Sequence, residues 1–276
     1  MSDWHDPDVV AQDSLAFLKL QHVLSGIYLW EFVTTISFKW SVFTRQRKYP
    51  RWSIWIYMGA RLSPLLTIIL IFVDFDYGHR LHCKTWLVFL YTFANSGFLC
   101  SAALIILRIL AIWSRAWIPM AIAILAWVTN CAFIIHNIVI SDAVWDPVDA
   151  TCAILHSNDS QANILATLIM DVILLVLMLW GLVRCGRPAS FGILQLLYIH
   201  GLFWLLVVTV AEIPTTVFIF LNLNTPLNQM FYTPQLIIMV IAGCRIYRNL
   251  VDYSDTTEIH VTESAPSGYL RRLDPR

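Results

Sequence analysis

The stretch of sequence that decides the fold is CKTWLVFLYTFANSGFLCSAALIILRILAIWSR, residues 83–115. It begins with Cys83, crosses mostly apolar residues from Trp86 to Trp113, and carries Arg108 near its far end. A helix that spans a membrane needs about 20 largely apolar residues. The stretch therefore predicts a membrane span that has a cysteine at one end and an arginine near the other.

The composition of the whole chain indicates the same class of protein. Of the 276 residues, 58% are hydrophobic and 13% are charged, and the mean hydropathy is +0.67. A soluble domain of this size needs a larger charged surface, so a soluble fold is excluded. The formal net charge is zero, and we therefore expect no nucleic-acid partner.

Seven windows are long and apolar enough to span a membrane, which predicts an all-α, polytopic seven-helix bundle with residues 83–115 as its third helix. The first window is the weakest, because it contains His22 and Glu31. Pro214 and Pro234 are the expected kink sites. The windows are roughly 15–38, 52–73, 85–113, 117–140, 162–183, 191–221 and 227–247.

The distribution of Lys and Arg predicts the orientation of the bundle. Eleven of them fall in segments on one side, and only Lys19, Arg80 and Lys84 fall on the other. Basic residues favour the cytoplasmic side, so we expect the N-terminus outside and the C-terminus inside. Residues 1–14 form an extracellular N-terminus without a cleavable signal peptide, 15–250 the transmembrane domain, and 251–276 a polar, disordered cytoplasmic tail.

Two features fall in predicted outer loops. Cys83 and Cys152 lie where an oxidising compartment permits a disulfide, and the alternative is two free thiols. Asn158-Asp159-Ser160 is a glycosylation sequon, with Asn158 as the acceptor.

Several polar residues fall inside predicted spans, where an ionisable group costs roughly 2.5–3.5 kcal/mol on insertion scales. Glu31 and Arg61 lie at the same depth, roughly 12–14 Å from the inner surface, on neighbouring antiparallel spans. We expect an ion pair between them that either fixes helix register or forms part of a ligand or ion site.

Asp171 and His200 both lie near the midplane on adjacent spans, which predicts a pair that is either structural or proton-sensitive. Glu212, near the outer end of its span, is expected to face water or to line an outer pocket. Arg108 either snorkels to lipid headgroups at the inner end of its span or acts as a switch there.

Some functions are excluded by what the sequence lacks. A retinal pigment needs a lysine in the last span, and Lys19, Lys39, Lys48 and Lys84 all precede the third. The histidines do not converge at one depth, so we expect no metal site. Without a nucleophile motif, a phosphate-binding loop or a carboxylate pair on one span, we expect neither a cofactor nor enzymatic activity.

The seven spans, Cys83, Cys152 and the later Arg108 together resemble the architecture of G-protein-coupled receptors. The sequence departs from that pattern in carrying Leu107 where receptors have an acidic residue. It also lacks their Cys-Trp-x-Pro and Asn-Pro-x-x-Tyr motifs.

A second resemblance covers most of the chain. Residues 22–58, the WDP at 145–147, NLNTPLN at 222–228 and AGCR at 242–245 resemble a family of seven-transmembrane proteins of basidiomycete fungi. That family has no established activity, so the resemblance implies a fold and no functional residue.

These observations favour a receptor-like sensor in the plasma membrane or secretory pathway. Its expected partners are membrane lipids, a small-molecule or peptide ligand, and a cytoplasmic signalling protein. The first alternative is a transporter or channel that uses Glu31, Arg61, Asp171 and His200 as a polar path. The second is a structural or lipid-interacting membrane protein.

Overall fold

The computed structural model describes residues 7–35, 51–76, 82–113, 116–146, 151–155, 160–185, 192–221 and 224–264. The described chain is almost entirely helical. The helices are α1 (Pro7–Thr34), α2 (Arg51–Asp76), α3 (Cys83–Ile112), α4 (Trp117–Ile140), α5 (Gln161–Cys185), α6 (Gly192–Leu221), α7 (Thr225–Met230) and α8 (Tyr232–Ser264), and two strands, β1 (Asp142–Asp146) and β2 (Thr151–Leu155), lie between α4 and α5.

Within the described residues, six segments are long and apolar enough to cross a membrane. They lie in α2, α3, α4, α5, α6 and α8, the last including α7. The prediction of a multi-pass membrane protein is therefore confirmed. Helix α1 is not among the six, since it carries Asp8, Asp13, Lys19 and Glu31. The seventh span and the orientation stay predictions.

The outward faces of these helices are apolar, as a lipid-facing surface requires. Trp55 on α2 is 74% exposed, Val139 on α4 is 72% exposed and Val183 on α5 is 74% exposed. Exposing such large apolar side chains to water would be unfavourable, whereas contact with lipid acyl chains is favourable. The surface therefore agrees with the composition in placing the bundle in a bilayer.

Helix α3 is the central helix of the bundle. Its spanning segment is 61% buried, against 22% for that of α4, and it packs against α2, α4, α5 and α8. A Cβ at Gly97 would lie 3.1 Å from Pro64 Cδ on α2, and one at Gly243 would lie 3.1 Å from the backbone oxygen of Ser101. Small residues let α2 and α8 approach α3 closely.

A β-hairpin covers one end of the bundle, which was not predicted from the sequence. β1 pairs with β2 in antiparallel register, and Trp145 lies opposite Cys152. The predicted disulfide between Cys83 and Cys152 is formed and joins β2 to the start of α3. We call this end the disulfide end. The opposite end, which holds Arg184, Arg245 and Arg248, is the arginine end.

The last predicted span, 227–247, agrees with the apolar segment Pro226–Asn249, which contains the short α7 and the start of α8 at Tyr232. Asn224 caps the short α7 by accepting a 2.9 Å hydrogen bond from the Leu227 N–H, and its side chain donates to Asp13 Oδ2 at 2.6 Å. Pro234 lies in the first turn of α8, where a proline removes no helical hydrogen bond. Pro234 therefore belongs to a helix start, whereas Pro214 lies inside α6.

Helix α8 continues to Ser264, although residues 251–276 were predicted to be disordered. An established helix gains one hydrogen bond for each residue added, so it can extend through a polar sequence of modest propensity. Residues 265–276 lie outside the described residues.

The disulfide gives a first prediction. Replacing Cys152 by serine should lower the thermal unfolding temperature, because disulfides typically contribute about 2–4 kcal/mol. Replacing the free Cys131 of α4 is the matched control and should change stability much less. Thermal unfolding in detergent measures both variants. Equal effects of the two changes would contradict a stabilising role for the bridge.

Candidate functional site

A cluster of buried polar side chains joins three helices in the interior of the bundle. Asp171 on α5 is 0% exposed, Glu212 on α6 is 1% exposed and Gln235 on α8 is 4% exposed. The Gln235 side-chain amide donates a 2.7 Å hydrogen bond to Glu212 Oε1. We call these three residues the core polar cluster.

The two carboxyl groups of this cluster lie close enough to interact electrostatically. Among the described residues, neither oxygen of Asp171 nor Oε2 of Glu212 receives a hydrogen bond. Two adjacent carboxylates repel each other strongly at a buried site, because little water is present to screen their charges. One proton bound by the pair removes most of that repulsion. We therefore hypothesise that the two buried carboxyl groups share one proton.

A small cavity of about 10 Å³ adjoins the cluster and has room for about one water molecule. Gln235 lines it, as does Asn163, and the side-chain oxygen of each lacks a donor among the described residues. On the far wall, Tyr232 Oη donates to Asn95 Oδ1 at 3.1 Å. The full lining consists of Asn95, Phe98, Asn163, Ile164, Thr167, Tyr232, Gln235 and Leu236.

The core polar cluster differs from the predicted site. Glu212 was expected to face water or to line an outer pocket; it does not face water, because it is 1% exposed, and the small cavity beside the cluster is lined by Gln235 and not by Glu212. The predicted Asp171–His200 pair cannot be compared, since the His200 side chain lies outside the described residues. The sequence did hold a signal: Asp171 lies nine residues after the start of its predicted span and Glu212 nine before the end of its own. In antiparallel helices these positions have the same depth.

A second polar cluster lies toward the arginine end. Glu31 on α1 binds Arg245 Nη2 and Arg248 Nη2 of α8, each at 3.1 Å, and Arg61 Nη2 of α2 approaches it at 4.0 Å. The predicted contact between Glu31 and Arg61 is present but long. The shorter contacts of Glu31 are with Arg245 and Arg248. From the sequence, these two arginines were counted only among the basic residues of the cytoplasmic side. We call Glu31, Arg61, Arg245 and Arg248 the arginine cluster.

Arg61 is held by groups other than Glu31. Its side chain is 3% exposed, as expected for an arginine that must not face lipid, and it donates a hydrogen bond to Thr35 Oγ1. The Tyr28 hydroxyl donates to the Arg61 carbonyl oxygen at 2.6 Å. The cluster thereby connects α1, α2 and α8.

Arg108 is buried, with 2% of its surface exposed, so its predicted snorkelling to headgroups is wrong. Its guanidinium lies over Gly201 of α6 and beside Met178 of α5, in the space that a side chain at position 201 would occupy. Asn158, the predicted glycosylation site, lies outside the described residues.

A comparison with protein families finds no family model that matches the chain, and no curated protein matches it either. The function must therefore be argued from the two polar clusters themselves.

The contact of Arg108 with Gly201 gives a second prediction. A Cβ at position 201 would lie 2.7 Å from Arg108 Cζ, and overpacking of this kind costs about 1–3 kcal/mol. Gly201→Ala should therefore lower the unfolding temperature. Gly26→Ala is the control, because nothing lies within 4 Å of its Cβ. If Gly201→Ala were as stable as Gly26→Ala, Arg108 would not be confined there.

The shared proton gives a third prediction. Asp171→Asn should fold normally, because the asparagine amide can donate to Glu212 in place of the proton. Gln235→Leu should be less stable by about 1–3 kcal/mol, since it removes the donor to Glu212.

The pH dependence of stability separates these variants. A folded pair that shares one proton holds a proton that the unfolded chain, with both carboxyls ionised at neutral pH, does not hold, so this hypothesis predicts that wild-type stability falls as pH rises. Asp171→Asn should flatten this dependence in thermal unfolding curves from about pH 5 to pH 8. An unchanged slope in the variant would argue against a shared proton.

Proposed function

We propose that this protein is a receptor-like membrane sensor with seven spans and with the arginine end in the cytoplasm. The seven spans are the six apolar segments and, in addition, α1. The predicted charge bias supports this orientation, because the basic residues favour the cytoplasmic side. We also propose that the protein belongs to the fungal seven-transmembrane family that its sequence resembles, and that it is not an enzyme.

The observation that carries the proposal is the position of α8. This helix contributes Gln235 to the core polar cluster and both Arg245 and Arg248 to the arginine cluster. Gln235 and Arg245 are ten residues apart, or about 15 Å along a helix. A change in the hydrogen bond between Glu212 and Gln235 therefore acts on the same rigid element that Glu31 holds at the other end.

On α5 and α8, an apolar layer separates the two clusters, while α3 places Arg108 beside Met178 and Ser101 against Gly243 at the same level. Residues 236–244 of α8 read LIIMVIAGC and residues 172–183 of α5 read VILLVLMLWGLV, with no charged, hydroxyl or amide side chain in either. Leu174, Met178, Met239 and Val240 fill this layer and are at most 2% exposed. A polar path along α5 and α8 alone would have to cross this layer, so a transporter or channel that uses Glu31 and Asp171 together would have to pass along α3.

The two clusters suggest how the sensor would work. A signal that adds a proton to the carboxyl pair would change how Gln235 binds Glu212. Helix α8 would then move relative to α1, and the ion pairs of Glu31 would have one arrangement in each state. A cytoplasmic partner would recognise the arginine end in one of the two states.

The experiment that tests the proposal compares wild type with Asp171→Asn in liposomes, across about pH 5 to pH 8. Two readouts are needed: proton flux, and hydrogen exchange of residues 236–250. The sensor predicts no flux from either protein. It also predicts exchange that depends on pH in the wild type and does not in the variant, because only the wild-type pair titrates.

Arg184→Gln is the control for this experiment, since Arg184 belongs to neither cluster and should keep the wild-type pH dependence. Flux in the wild type that disappears in Asp171→Asn would overturn the sensor and establish a polar path. Exchange without pH dependence in the wild type would leave the carboxyl pair without a signalling role.

A further inference from the structure

We propose that the arginine cluster binds a phosphate-bearing anion, either the phosphorylated headgroup of a membrane lipid or free phosphate. This site is distinct from the core polar cluster, and the proposal does not rest on the protein being a sensor. The argument uses the charge of the cluster, its unused hydrogen-bond donors and its access from outside.

The cluster carries an excess of positive charge. Three guanidinium groups, those of Arg61, Arg245 and Arg248, surround the single carboxylate of Glu31. Among the described side chains this leaves two positive charges without a counter-charge in a partly buried place. A doubly charged anion would balance the excess.

The donors that remain fit a phosphate group. Glu31 uses Nη2 of Arg245 and Nη2 of Arg248. The Nε–H of each arginine is buried and has no acceptor among the described residues, so an anion reaches it only by taking the place of the Glu31 carboxylate. A guanidinium group offers five N–H donors in one plane, which suits the oxygens of a phosphate better than those of one carboxylate. The cluster thus has more donors than Glu31 can accept from.

The three arginines of the cluster differ in exposure among the described residues. The Arg245 side chain is 41% exposed, that of Arg248 is 17% exposed and that of Arg61 is 3% exposed. The Arg245 guanidinium lies over the Trp204 ring, with 5.0 Å from Cζ to the ring centroid, and this stacking fixes the rim of the site. Basic pockets between membrane helices at the cytoplasmic surface are suited to phosphorylated headgroups.

Glu31 would compete with the anion for the same guanidinium groups. A phosphate that binds Arg245 and Arg248 must displace the Glu31 carboxylate or share these arginines with it. Removing the Glu31 charge should therefore tighten binding, whereas removing an arginine should weaken it. The opposite signs of the two effects distinguish a built site from general attraction of anions to a basic surface.

The test uses the purified full-length protein in neutral detergent. One arm adds inorganic phosphate, with sodium chloride at equal ionic strength as its control. The other arm adds a short-chain phosphatidylinositol bisphosphate, with short-chain phosphatidylcholine as its control. Thermal unfolding and equilibrium binding are measured in both arms.

We expect the lipid phosphate to raise the unfolding temperature and phosphatidylcholine to leave it unchanged. Stabilisation by inorganic phosphate as well would identify free phosphate as a second source of the ligand.

Three variants decide whether the arginine cluster is the site. Arg245→Gln should weaken binding by about tenfold or more, because it removes a charge and its hydrogen bonds. Arg184→Gln is the matched control: Arg184 also stacks on a tryptophan at the arginine end, 5.5 Å from the Trp113 ring, and its loss should leave binding unchanged. Glu31→Gln should bind more tightly than the wild type.

The proposal is overturned if neither phosphate ligand stabilises the wild type beyond its control. It is also overturned if Arg184→Gln loses as much affinity as Arg245→Gln. Arg245→Lys provides a further check, because it keeps the charge and loses the planar donors. We expect it to bind more weakly than the wild type, and wild-type affinity in this variant would contradict a guanidinium site. None of these outcomes depends on the pH response of Asp171, so the sensor proposal is tested separately.

Discussion

A charged side chain that a membrane helix carries into the bundle must be neutralised by other parts of the protein, because lipid offers neither water nor counter-ions. This constraint accounts for both polar clusters. Glu31 is neutralised by arginines from α8, and Glu212 accepts a hydrogen bond from Gln235. Each solution needs side chains from more than one helix, so satisfying the charges also fixes how the helices are arranged.

Helix α8 participates in both solutions. It meets α3 closely at Gly243 and Ser101, supplies Gln235 to the core polar cluster and supplies Arg245 and Arg248 to the arginine cluster. The residues between these positions are apolar and densely packed, so the helix is held along its length while its polar contacts lie at two separate depths. A helix with polar contacts at two depths and apolar packing between them can transmit a displacement without opening a water-filled path.

Most of the secondary structure could be predicted from the sequence because hydrophobic length decides it. The predicted 117–140 matches α4, and the bounds of α2, α3, α5 and α6 agree within a few residues. The misses have local causes. The last predicted window is divided into α7 and α8, and α8 continues through a polar segment. The hairpin depends on pairing between two short strands, which the sequence of either strand does not reveal. Helix α1 corresponds to the first predicted window, which was the weakest because it contains His22 and Glu31.

The sequence by itself determined that this is a multi-pass helical membrane protein, since apolar length and low charge can be read without knowing any contact. It also indicated the Cys83–Cys152 disulfide, because only those cysteines lie in predicted outer loops. Partner choice was decided only by the tertiary structure. Depth along a helix can be counted, but the rotation of one helix relative to its neighbours cannot. That rotation brings Glu31 to Arg245 and Arg248 and Asp171 to Glu212. It also lets the Arg108 side chain lie where Gly201 has no side chain of its own.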